Sequence, residues 1–106
     1  MRHHQYNPGF KFVRDPESFD KYTDRELLQY CLGAAMYMPG FKDFAPKILS
    51  NAMPGLTTIV LCCEDACPEE KVLEAEENIH KLLDTVTSAV EDGALDPDLV
   101  PLIFVR

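Results

Sequence analysis

The chain has 106 residues and a mass of 12.0 kDa, the size of one ordinary domain. Hydrophobic residues make up 46% and charged residues 26%, a globular balance that excludes a disordered chain. A formal charge of −8 and a pI near 4.7 disfavour binding to nucleic-acid backbones, and no apolar run approaches the ~20 residues of a membrane helix.

Residues 1–22 show no periodicity and are expected to form an N-terminal arm. Met1-Arg2-His3-His4 leads into no apolar h-region, so no secretory signal is expected. The expected location is therefore cytoplasmic. Asn7-Pro8-Gly9 and Asp15-Pro16 are turn signals. Tyr6, Phe10, Phe12, Phe19 and Tyr22 lie around them. They are expected to pack onto the body, the commonest use of aromatic side chains, with ligand stacking as the lesser alternative.

Residues 23–106 carry the regular pattern. Thr23-Asp24-Arg25-Glu26 fits a capping box, in which the threonine oxygen accepts the Glu26 N–H. Leu27, Leu28, Cys31 and Leu32 follow at helical spacing and Gly33 suits a stop, which predicts a helix over 24–32. Ala34 to Met38 is an apolar run ended by Pro39-Gly40. Its lack of alternation predicts a strand buried on both faces. Residues 43–51 predict a short helix with Pro46 in its first turn. Met53-Pro54-Gly55 is a turn. Residues 57–63 are β-branched at the start and apolar throughout, and give the clearest strand, stopped by Glu64-Asp65. Pro68 opens a long helix over 68–92. Its stripe is Val72, Ala75, Ile79, Leu82, Leu83, Val86, Ala89 and Val90, and Gly93 ends it. Asp96-Pro97-Asp98 makes a turn, and Leu99 to Val105, interrupted by Pro101, predicts a third strand followed by Arg106.

Strands alternating with helices imply right-handed crossovers and a parallel sheet, an α/β fold. Parallel strands share a direction. Their exits at Pro39-Gly40, Glu64-Asp65 and Arg106 therefore fall on one edge, where such folds bind ligands. Two acids and an arginine suit an anionic, metal-bound small-molecule substrate. Carboxylates hold a hard cation such as Mg²⁺ directly or through its waters, and a guanidinium grips a carboxylate with two bonds. Plainer roles stand beside these on geometry alone. Asp65 is placed to cap the helix near Pro68, Arg106 to be only a frayed end, and Pro39-Gly40 to be only a turn. Three parallel strands leave both sheet edges open, so the 106 residues are expected to be the front of a larger barrel or sheet.

Cys62, Cys63 and Cys67 form a C-C-x-x-x-C cluster. It lacks the second pair of a structural zinc site, and it has neither C-x-x-C nor a basic activator for redox work. With Cys31 they are expected to be buried, unreactive thiols.

Three segments resemble the first three strands of the citrate lyase β-subunit / malyl-CoA lyase family. They are Met36-Tyr37-Met38-Pro39-Gly40, then Ile59 to Cys67 with Glu69, Glu70 and Lys71, then Ile103-Phe104-Val105-Arg106. The family pattern runs F-V-P-G, then L-D-L-E-D-A-V with a following E-E-K, then V-R-V-N. Met1-Arg2-His3, Tyr37-Met38-Pro39 and Leu61 to Ala66 are closer to a bacterial branch, carbon–carbon bond lyases of the TIM-barrel fold found near tellurite-resistance genes. The resemblance covers residues 24–106.

The resemblance implies the first three β/α units of a TIM barrel. It also implies a Mg²⁺-dependent retro-aldol lyase acting on a hydroxy-acyl thioester, such as a CoA thioester, or a related hydroxy acid. By position, Arg106 is similar to the arginine that binds substrate carboxylate or carbonyl oxygen. Glu64 and Asp65 are similar to the acidic pair that supports the metal without ligating it. Pro39 and Gly40 match the loop that borders the substrate. Direct Mg²⁺ ligands are expected outside this chain, a homo-oligomer is expected for the full-length protein, and the 106 residues alone are expected to be inactive. Cys62 departs from the pattern, standing where the family commonly has Asp. The alternative is a non-catalytic α/β module that binds a metabolite or a partner.

Overall fold

The computed structural model describes residues 8–13 and 17–106. Met1-Arg2-His3-His4, Tyr6, Asn7 and the Asp15-Pro16 signal lie outside them. The architecture is built around one strand. Strand β2 (Thr58–Cys62) is buried at every position, as its unbroken apolar run requires. Strand β1 (Met36–Pro39) pairs with it in parallel, with Met36 opposite Ile59 and Pro39 opposite Cys62. Strand β3 (Leu102–Val105) pairs on the other side, also in parallel, with Thr58 opposite Leu102 and Leu61 opposite Val105. The sheet order is β1-β2-β3, the arrangement of three β/α units of a TIM barrel. Proline ends β1 without loss because β1 is an edge strand and needs no N–H there. Likewise β3 starts only after Pro101.

Strand alternation sends Ile59 and Leu61 to one face and Val60 to the other. Helices cover the first face. The short α1 (Arg25–Leu28) precedes β1, α2 (Ala45–Leu49) links β1 to β2, and α3 (Val72–Glu91) links β2 to β3. Helix α3 is entered through a 3₁₀ turn at Glu69–Lys71, and a second 3₁₀ turn at Pro97–Leu99 precedes β3. Ala75, Ile79, Leu82 and Val86 of α3 are buried, and Ile79, Leu82 and Val86 join Phe44, Ile48, Ile59 and Leu61 in the core cluster. Each such large side chain stabilises the fold by about 1.5–3 kcal/mol. Leu83 lies at the edge of the predicted stripe and stays 37% exposed. On the opposite face, Tyr37, Val60 and Phe104 share one register row, with the two aromatics about half exposed.

Helix ends follow local chemistry. Asn51 and Gly93 both adopt positive φ just past α2 and α3. Around Gly93, its N–H donates to the Val90 carbonyl and the Ala94 N–H to the Ala89 carbonyl, a Schellman closure. The first helix differs from its sequence pattern. Asp24, not Thr23, caps it, accepting the Glu26 N–H at 2.9 Å. The Thr23 hydroxyl turns back instead, accepting the Asp20 N–H at 2.9 Å. The helix spans 25–28 rather than 24–32, and Gly33 lies beyond its end. None of its residues is buried, and so short a helix needs tertiary packing to extend.

Phe10, Phe12, Phe19 and Tyr22 do not join the core cluster. Phe10 is 54% exposed and meets Phe12 edge-on with centroids 4.6 Å apart, while Tyr22 is exposed beside the Lys21 ammonium. Among the described residues, no helix is long and apolar enough to cross a membrane.

Leu82→Ala should lower the unfolding free energy in urea by about 2–5 kcal/mol, and Leu83→Ala by distinctly less. Equal losses would contradict the packing of α3.

Candidate active site

The sheet's hydrogen-bond ladder runs one residue past its strands. The Gly40 N–H donates to the Cys62 carbonyl at 2.8 Å, the Cys63 N–H to the Arg106 carbonyl at 2.7 Å, and the Arg106 N–H to the Leu61 carbonyl at 3.0 Å. These bonds level the three strand exits at one rim. Arg106 follows Val105 and, by alternation, leaves the sheet on the face of Phe104 and Val60, away from the helices.

At that rim the sequence-predicted residues meet. Arg106 Nε lies 2.8 Å from Glu64 Oε2, and Arg106 Nη1 lies 3.0 Å from Asp65 Oδ2. One guanidinium thus spans two adjacent carboxylates, and all three side chains remain open to solvent. Exposed ion pairs contribute little to stability, so the value of this contact lies in orientation. Glu64 first, then Asp65, raise the Arg106 pKa above the ordinary guanidinium value, which already leaves the group charged at physiological pH. The trio carries a net charge of −1 from one cation and two anions.

Asp65 does not cap the following helix. Pro68 stands at the start of the 3₁₀ turn without a side-chain capping bond, and the Asp65 carboxylate faces Arg106 instead. The Glu64-Asp65 loop takes its shape from below. The Glu64 N–H donates to Cys62 Sγ at 3.4 Å, the Ala66 N–H donates to the same sulfur at 3.5 Å, and the Cys67 N–H closes onto the Glu64 carbonyl at 2.9 Å. Cys62 is fully buried, so its sulfur is a fixed acceptor at the base of the loop.

Pro39 and Gly40 sit at the same rim. Gly40 is buried, and a Cβ there would lie 3.0 Å from Ile79 Cδ1, 3.2 Å from Ala75 Cβ and 3.2 Å from the Cys62 carbonyl oxygen. Only glycine lets β1 turn this close to α3 and β2. The Gly40 carbonyl accepts from Asn78 Nδ2 at 2.6 Å, and the Lys42 carbonyl accepts from the same nitrogen at 3.0 Å. The Phe41 ring lies under the Lys71 ammonium, 4.5 Å from its centroid, and Lys71 also pairs with Glu74 at 3.4 Å. Asn78 and the Phe41–Lys71 pair were not singled out by sequence patterns. The one local sign of Asn78 is a weak helix former beside the buried Ile79 in mid-helix.

Cys62 and Cys67 are buried as expected, whereas Cys31 and Cys63 are only half-buried. Burial pushes the Cys63 and Cys67 thiols above the usual thiol range, and Cys62 with nearby carboxylates (Glu76 for Cys63, Glu74 for Cys67) pushes the same way. Cys62 is buried, all four thiols are free, and among the described residues no group of three or more His, Cys, Asp or Glu could hold a metal ion. Glu64 and Asp65 are hard oxygen donors of the kind Mg²⁺ takes, but two carboxylates already on Arg106 do not make a direct ligand set.

Residues 26–106 match the family model of the C–C bond lyases of the TIM-barrel fold. No curated protein and no solved structure matches the chain.

Raised thiol pKa values keep Cys63 and Cys67 protonated in the fold. Their contribution to stability is full below the ordinary thiol pKa and is lost as pH climbs through the raised values. At pH 7.5, iodoacetamide should label Cys63 and Cys67 more slowly than it labels glutathione, as followed by mass spectrometry. Faster labelling would mark an activated thiol.

Proposed function

The chain belongs to the carbon–carbon bond lyase family of the TIM-barrel fold, and from that membership we propose that it forms part of the active site of a retro-aldol lyase. The substrate we propose is a hydroxy-acyl thioester, such as a CoA thioester, or a related hydroxy acid. The observation that carries this function is Arg106 held between Glu64 and Asp65 at the common strand exit. A permanently charged guanidinium on a rigid strand end recognises a carboxylate with fixed geometry.

In the reaction, the substrate hydroxyl loses its proton and its carbon becomes a carbonyl. The adjacent C–C bond breaks, and its electron pair passes to the departing acyl fragment as an enolate, which then takes up a proton. Arg106 binds and orients the substrate carboxylate or carbonyl oxygen beside the developing enolate charge. Glu64 and Asp65 hold the guanidinium in place, and their exposed carboxyl groups would support a bound Mg²⁺ through its waters. Mg²⁺, when bound by ligands outside the described residues, would supply Lewis-acid stabilisation of that charge. Pro39 and Gly40 shape the neighbouring loop and bound the substrate's volume. A homo-oligomeric, cytoplasmic enzyme is part of the same proposal.

Arg106→Ala in the full-length gene product should cut kcat/KM by on the order of 100-fold in Mg²⁺ assays on citryl- and malyl-type thioesters, with the melting temperature nearly unchanged. Parallel losses of activity and melting temperature would indicate a structural arginine. Thioester binding without turnover by the unmodified protein would indicate a non-catalytic module.

A further inference from the structure

We propose that Asn78 is a positioning residue for the β1 exit loop, fixing Gly40 and Lys42 so that the loop forms one wall of the substrate mouth. The proposal rests on the lyase function for the meaning of that wall, but the clamp itself stands on geometry. Asn78 lies on α3, far along the chain from the loop it holds, and its amide nitrogen donates to two loop carbonyls at 2.6 and 3.0 Å. An asparagine amide has two N–H donors at the end of a short side chain, which matches two converging acceptors.

Satisfying orphan carbonyls does not explain both bonds. Lys42 is exposed, so water is available to its carbonyl, and the second bond therefore adds position. The rest of the loop is held from other directions. The Gly40 N–H goes to the Cys62 carbonyl at 2.8 Å and the Lys42 N–H to the Pro39 carbonyl at 3.1 Å, while Phe41 stacks beneath Lys71. Among the described residues, Asn78 ties the loop backbone to α3, while Lys71, just before α3, meets the Phe41 ring. The Gly40 N–H and the Asn78 amide meet the same peptide segment. The loop is thereby registered at once to β2, which leads into Glu64 and Asp65, and to α3.

The test uses Asn78→Asp, Asn78→Gln and a control, Thr85→Ala, in the full-length gene product. Thr85 donates to the Lys81 carbonyl within α3, so its replacement changes the same helix without touching the loop. Aspartate is nearly isosteric with asparagine but offers two acceptor oxygens to two carbonyls, so it breaks both bonds. Glutamine keeps both donors on a longer arm. Hydrogen exchange of the peptide spanning residues 40–43, thermal melting, and Mg²⁺-dependent kinetics with a malyl-type thioester are measured on each. Asn78→Asp should speed exchange of the loop amides at least tenfold and lower kcat/KM by roughly 10- to 100-fold. Asn78→Gln should recover part of both, and Thr85→Ala, which puts a better helix former into α3 away from the loop, should leave loop exchange and kcat/KM unchanged. Unchanged exchange in Asn78→Asp overturns the clamp. Faster exchange with unchanged kcat/KM overturns the positioning role. If Asn78→Asp fails to fold, the same two readouts on Asn78→Gln decide. A wild-type protein without turnover sinks the lyase function alone, since exchange still decides the clamp.

Discussion

A parallel hydrogen-bond ladder governs this structure. Strand β2 is bonded on both sides, and the ladder continues through Gly40, Cys63 and Arg106 beyond the last residues of the strands. Because parallel pairing fixes direction as well as register, it places every strand exit at one level. The approach of Arg106 to Glu64 and Asp65 is a consequence of that level, since the three side chains reach each other within 3.0 Å from the ends of neighbouring strands. An antiparallel arrangement would have sent Arg106 to the opposite pole of the sheet.

Below the rim, the loops are held by groups that do no chemistry themselves. The buried thiol of Cys62 accepts two N–H groups of the acidic loop, in the position where the citrate lyase-like pattern has Asp. A thiol is a weaker and neutral acceptor, so this chain shapes the loop without adding a third negative charge beside Glu64 and Asp65. Gly40 permits a close approach to α3 that any side chain would block, and Asn78 then locks the carbonyl that this approach brings within reach. The two features depend on each other: without the missing Cβ the amide could not reach, and without the amide the Gly40 carbonyl would be buried with no strand partner.

Charge acts on two scales. The chain as a whole is acidic, which repels phosphate-rich polymers and leaves small anions to be captured only where a cation is fixed. Arg106 is such a cation, and its acidic neighbours strengthen its charge while holding its plane. Cys63 and Cys67, by contrast, sit where burial and nearby carboxylates suppress the thiolate.

Much of this was legible in the residues. The unbroken run from Thr58 to Cys62, the 3.6-residue stripe of α3 and the Gly93 stop are local signals, and the structure keeps all three because each expresses its own backbone and burial preference. Parallel topology followed from their alternation, and with it the shared edge of Pro39-Gly40, Glu64-Asp65 and Arg106. The failures were those where two local solutions compete. Thr23 and Asp24 both suit a cap, and Leu27 to Leu32 suit a longer helix, but no core surface lies beneath them to reward it. Phe10 and Tyr22 likewise stay exposed although aromatic side chains favour burial. Whether Asp65 caps a helix or holds an arginine was undecided in sequence, because both need only a carboxylate near Pro68. Arg106, delivered by a strand far along the chain, decided it. The pairing of Asn78 with Gly40 and Lys42, which no periodicity announces, likewise exists only in the fold. Sequence alone determined the elements and their direction, since those arise from near neighbours and burial pattern. Tertiary structure alone decided which polar groups meet, since a hydrogen bond or ion pair between distant residues exists only after the backbone has brought them within about 3 Å.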